Sequence, residues 1–112
     1  MALADADTPE SLFERKWAHT LLRTALDEVR RSYEADGSVR VFDELRETLI
    51  GDADESYATI AERLGMTEGA VKVAAHRMRQ RFGRTLRAEV ARTVDPADVE
   101  DELRYLLSIL SA

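Results

Sequence analysis

Apolar residues fall at intervals of three and four along most of this chain. Phe13, Trp17, Leu21, Leu22, Ala25, Leu26, Val29 and Tyr33 form one such series, which predicts a long amphipathic helix ending near Ala35. Ser11 and Glu14 fit a capping box at its start, with Thr8-Pro9 as an alternative start just upstream. Asp36-Gly37-Ser38 stops it, Gly37 suiting a helix C-terminus and Ser38 the cap of the next helix. That second helix, about Val39 to Leu49, turns Val41 or Phe42, Leu45 and Leu49 inward. Gly51-Asp52-Ala53-Asp54 is a short acidic loop, and Glu55 or Ser56 opens the next helix.

From Tyr57 to Phe82 the pattern becomes two helices joined by a tight turn. Ile60, Ala61 and Leu64 form the first stripe, and Gly65 ends it where positive φ is wanted. Met66 fills the corner and Thr67 caps the helix after it. Val71, Ala74, Ala75, Met78 and Phe82 resume the stripe. A small Ala61 allows close crossing, and Val71 is placed to pack into it; this spacing is that of a helix-turn-helix. The helix is expected to continue through Gly83, because Leu86, Val90 and Val94 extend the series of Met78 and Phe82. Thr93 to Pro96 breaks the chain, with Asp95 as cap, Pro96 at N1 and Asp98 as a first-turn acid. Val99, Leu103, Leu106 and Leu110, widened by Leu107 and Ile109, make a last stripe. It serves either as internal core or as a docking face.

These elements predict an all-α fold, a small bundle of about five helices containing a helix-turn-helix. Residues 1–10 read as a leader or linker remnant, 11–94 as the helix-turn-helix domain and 95–112 as an amphipathic helix packed on it. At 112 residues the chain has length for one modest core. It has no cysteine, hence neither disulfides nor thiolate metal sites. No apolar run approaches the ~20 residues of a membrane span, and MALADADTPE lacks the regions of a signal peptide. The expected setting is the cytoplasm, without membrane contact.

The net charge of −6 argues at first against a nucleic-acid partner. Its distribution changes that. Residues 1–68 carry 8 basic and 16 acidic side chains, residues 69–88 carry 6 and 0, and residues 89–112 carry 2 and 6. One basic helix sits in an acidic frame, which focuses DNA contact on one surface. At about 100° per residue, with Val71 at the centre of the buried side, Gly69, Val73, His76 and Gln80 point outward. Lys72 and Arg79 flank this strip on one side, and Arg77, Arg81 and Arg84 on the other. Such flanks reach phosphates while small or polar side chains face base edges.

The stretch with Ala61, Gly65, Glu68-Gly69-Ala70-Val71-Lys72 and His76-Arg77-Met78-Arg79 resembles the C-terminal promoter-recognition domain of extracytoplasmic-function-type bacterial RNA polymerase sigma factors. Two further stretches, TPESLFERKWAHTLL and LRAEVARTVDPADVEDELRYLL, look like one branch of that group. The resemblance implies docking on the β flap of RNA polymerase core and a second hairpin helix in the major groove of the −35 promoter element. It places Lys72 and His76 at the groove, Thr67, Glu68, Gly69 and Val73 at its mouth, and Arg77 and Arg79 on phosphates; the outward Gln80 completes the candidate set. Many family members have serine and arginine where this chain has Val73 and Ala74, and an arginine's bidentate contact is worth about 1–3 kcal/mol. The helical domain that reads the −10 element has no counterpart here, so a fragment or excised domain is expected.

No enzyme is expected. His19 and His76 lie on different predicted helices and neither has metal-ligand spacing. The acids Asp43, Glu44, Glu47, Asp98, Glu100, Asp101 and Glu102 fall on solvated faces or helix starts. No phosphate-cradling loop or nucleophile constellation appears, and no cofactor is implied. Two functions are expected from these residues: a sigma-type promoter-binding module, or a protein-interaction module that binds polymerase, an anti-sigma factor or another sigma domain and keeps the hairpin mainly as scaffold.

Overall fold

The computed structural model describes residues 8–49 and 56–111. Among these the chain is all-α: α1 (Pro9–Ala35), α2 (Val39–Leu49), α3 (Tyr57–Leu64), α4 (Glu68–Ala91), a 3-10 turn (Pro96–Asp98) and α5 (Val99–Ser111). The acidic loop at 51–54 and most of the N-terminal leader lie outside the described residues. No helix is long and apolar enough to cross a membrane, among the described residues. The chain divides into two compact units, one of residues 27–84 and one of residues 1–26 with 85–112. This division cuts α1 and α4 and runs differently from a boundary drawn at residue 94.

The helix ends are set locally. Thr8 caps α1, its hydroxyl accepting from the Ser11 N–H at 3.1 Å, so the upstream start is used and Ser11 lies inside the first turn. Pro9 takes the first helical position, where its missing N–H costs nothing. At the other end Gly37 adopts φ 76°. Ser38 then donates to the Tyr33 carbonyl at 2.8 Å and Gly37 to Glu34 at 3.1 Å, closing a Schellman motif. Ser38 starts α2 through its carbonyl, which accepts from Val41 at 3.0 Å, and not through its side chain. Asp95 behaves likewise: no side-chain cap forms, and its carbonyl accepts from Asp98 at 2.8 Å.

The unit of residues 27–84 buries Val29, Tyr33, Phe42, Leu45, Ile60, Ala61, Val71, Ala75 and Met78. Of the two alternatives in α2, Phe42 is buried and Val41 half-buried. Tyr33 and Phe42 pair with ring centroids 5.7 Å apart, joining α1 to α2. Arg30 grips Asp43 with both prongs of its guanidinium, at 3.0 and 3.1 Å. Arg40 donates to the Arg63 carbonyl in the last turn of α3, and Arg63 pairs with Glu44 at 2.7 Å. Carboxylates that the sequence assigned to solvated faces thus fasten α2 to its neighbours.

The other unit buries Ala18, Ala25, Leu26, Leu86, Val90, Val99, Leu103 and Leu106. The helix does continue through Gly83, and the α5 stripe does supply core. Arg87 holds the Glu100 carboxylate at 2.8 and 3.1 Å, tying the end of α4 to the start of α5. Phe13 departs from expectation. Its spacing put it in the α1 apolar series, yet it is 74% exposed. It lies about 140° around the helix from buried Ala18 at about 100° per residue, so the stripe turns away from it.

Candidate nucleic-acid interface

The turn between α3 and α4 is built from three residues. Ser56 caps α3, its hydroxyl accepting from the Thr59 N–H at 3.3 Å. Gly65 closes α3 at φ 67°, ψ 32°. Met66 donates to the Ala61 carbonyl at 3.0 Å and Gly65 to Glu62 at 3.3 Å, a second Schellman motif. Thr67 then caps α4, its hydroxyl accepting from the Ala70 N–H at 3.1 Å. The Thr67 side chain is therefore engaged in folding the helix that it opens.

All nine candidate residues are exposed: Thr67, Glu68, Gly69, Lys72, Val73, His76, Arg77, Arg79 and Gln80. Val71, Ala75 and Met78 bury the opposite side of α4 completely. A Cβ at Gly69 would meet open space, so packing does not require glycine there. Val73 is half exposed and makes the outward strip partly apolar.

The basic residues divide by their angle from the core. Arg79 and Arg81 each stand about 80° from Val71, whereas Arg77 and Arg84 stand about 120° and 140° away. Both nearer arginines reach back. Arg79 donates to the Tyr57 hydroxyl of α3 at 3.3 Å. Arg81 lies 4.6 Å from the Tyr33 ring centroid, donates to Ser32 Oγ at 3.0 Å and approaches Asp36 at 3.5 Å. Arg81 is thus a fastener between α1 and α4, and its placement as a phosphate-side flank is corrected. The basic run also ends sooner, because Arg87 is committed to Glu100. Arg77 and Arg84 are exposed and have no ion-pair or hydrogen-bond partner among the described residues. Lys72 keeps Glu68 at 3.9 Å, a loose pair one turn apart with both side chains more than half exposed.

Sequence reasoning missed Tyr57, the partner of Arg79, and the Ser32–Tyr33–Asp36 seat of Arg81. The angle from Val71 does not by itself tell which arginines stay free, because Arg87 stands about 160° away and is still held by Glu100. His19 is exposed, as expected of a helix-surface residue. No group of three or more histidine, cysteine, aspartate or glutamate side chains among the described residues is arranged to hold a metal ion.

Compared with protein-family models, curated proteins and solved structures, the chain matches none.

Proposed function

We propose that the chain is a DNA-binding module of the sigma-factor type, with α4 lying in the major groove of a −35-like promoter element and the module acting on RNA polymerase. One observation carries this reading. The outward side of α4 presents Val73, His76 and Gln80 in a strip beside unpaired Arg77 and Arg84, and residues 69–88 contain no acid. Guanidinium groups free of intramolecular partners are available to phosphates, and a strip of small and polar side chains suits base edges. Polymerase docking, including a role for the β flap, rests on the sequence resemblance and forms part of the same proposal.

Arg77, Arg79 and Arg84 supply about three phosphate contacts, so log K for duplex DNA is expected to fall against log[salt] with a slope of about −3. Fluorescence anisotropy on a labelled promoter duplex measures it. Replacing Arg77 or Arg84 by alanine is expected to reduce the slope by about one unit on every sequence. Lys72→Ala or Gln80→Ala is expected to change the preferred sequence instead. A slope near zero in the unsubstituted chain, or identical effects from all four substitutions, would sink the groove-facing role.

A second reading, as a protein-interaction module, is favoured by a separate observation. Phe13 and Tyr105 remain exposed on the unit that does not carry the basic strip.

A further inference from the structure

The unit of residues 1–26 and 85–112 leaves an aromatic face uncovered. Phe13 is 74% and Tyr105 43% exposed, and Trp17 is half-buried between helix and solvent. The Trp17 and Tyr105 rings touch across α1 and α5, with centroids 6.5 Å apart and planes tilted by 37°. Phe13 lies one turn before Trp17, at the four-residue spacing that puts two side chains on one helix face. Half-buried Ile109 continues the strip one turn beyond Tyr105. Leu12 is also exposed, but about 140° around the helix from Trp17, and belongs to another face.

Acids border this strip. Hydrogen bonding to Glu14, then burial, then the charges of Glu14 and Glu102 raise the Tyr105 phenol above its usual range, Glu102 acting through its charge alone. Neither carboxylate has a cationic partner among the described residues. Glu10 is exposed, four residues before Glu14 and three before Phe13, and so shares their face. Glu10, Glu14 and Glu102 thus border the three rings, with Lys16 beside Phe13 and Arg104 beside Tyr105 paired to Asp101 at 3.4 Å. Carboxylates attract guanidinium and ammonium groups, and Trp and Tyr faces attract the same cations. The face has the make-up of a protein-interface centre, with aromatic anchors and polar groups at the edge.

We propose that this face, centred on Phe13, Trp17 and Tyr105 and bordered by Glu10, Glu14 and Glu102, binds a cationic amphipathic helix of a protein partner. The rings take its apolar residues and the carboxylates take its arginines or lysines. Charge complementarity selects this occupant. The chain's own residues 1–7 contain two aspartates and no lysine or arginine, so they have the wrong sign. The exposed rings repeat at one helical turn, which suits the i, i+3, i+4 and i+7 anchors of a docked helix. The inference deepens the protein-interaction reading and is independent of DNA contact by α4.

Trp17 is the chain's single tryptophan, so its emission reports occupancy directly. The test titrates the full chain with a synthetic helical peptide bearing leucines on one face and arginines and lysines on the other. A control peptide keeps the leucines and carries glutamates instead. The cationic peptide is expected to shift Trp17 emission in a saturable way, and the acidic one to leave it unchanged. Glu14→Gln with Glu102→Gln is expected to weaken binding about tenfold. Phe13→Ser, on a largely exposed side chain, is expected to do the same and serves if the glutamine variant fails to fold. Arg77→Ala is expected to leave peptide binding intact, which separates this result from loss of DNA binding. Equal binding of both peptides, no binding of either, or self-association that buries Trp17 in the unliganded chain would each overturn the proposal.

Discussion

The outward side of α4 and the aromatic face of α1 and α5 are both exposed, yet they are made from opposite materials. On α4 the uncovered groups are cations beside a nearly neutral strip, and its large apolar residues Val71 and Met78 are buried. On the other unit the uncovered groups are rings, and the charges beside them are carboxylates. Exposure alone says little about function. The sign of the charge and the chemistry next to it are the grounds on which duplex DNA is proposed for one surface and a cationic helix for the other. Each surface carries the charge that disfavours the other's proposed ligand.

The largest effects should come from the cores beneath these surfaces. Phe42 in one unit and Leu106 in the other are fully buried. Phe42→Ala is expected to cost about 3–5 kcal/mol and Leu106→Ala about 2–5 kcal/mol in urea unfolding. Hydrogen exchange under mild denaturant then checks the division into units. Each substitution is expected to lower protection mainly in its own unit, and equal loss along the whole chain would mean one cooperative core.

Arg81 and Arg77 sharpen the contrast within a single helix. Arg81→Ala removes a stacked, hydrogen-bonded cation and is expected to cost about 1–2 kcal/mol of stability, with little change in salt slope on DNA. Arg77→Ala is expected to stay within about 0.5 kcal/mol in stability and to reduce the slope. Reversed results would exchange their roles.

Gly83 stands where α4 passes from one unit to the other, and a Cβ there would meet nothing within 4 Å. Gly83→Ala is expected to add about 0.5–1 kcal/mol by reducing unfolded-chain freedom, read as a melting temperature raised by a few degrees. A loss of stability would show that the helix bends there in solution.

The smallest effects are in pH dependence and differ in sign between the units. Hydrogen bonding to Arg30 holds the Asp43 carboxyl below its usual range, against an opposing burial effect. Its contribution is present above the unfolded carboxyl's range near pH 4 and is lost as pH falls through the lower folded value. Tyr105 is shifted the other way, chiefly by Glu14. Its contribution is present below about pH 10 and is lost as pH rises through the higher folded value. Asp43→Asn should therefore flatten only the acid limb of stability against pH, and Tyr105→Phe only the alkaline limb.

The sequence by itself determined the helices and their punctuation. Gly37, Gly65 and Thr67 act through bonds within a few residues, so local pattern suffices for them. It also located the buried side of α4 and the exposed strip opposite, because helical period ties both to Val71. Tertiary structure alone decided which charges are free. Arg81 and Arg77 differ by only four positions, but one meets Ser32, forty-nine residues away, and the other meets solvent. Likewise Phe13 fits the apolar series of α1, and only the course of the packed stripe shows that it faces out. Side chains at the edge of a helix's buried sector are claimed or left free by whatever lies beside them, and that neighbour belongs to a distant part of the chain.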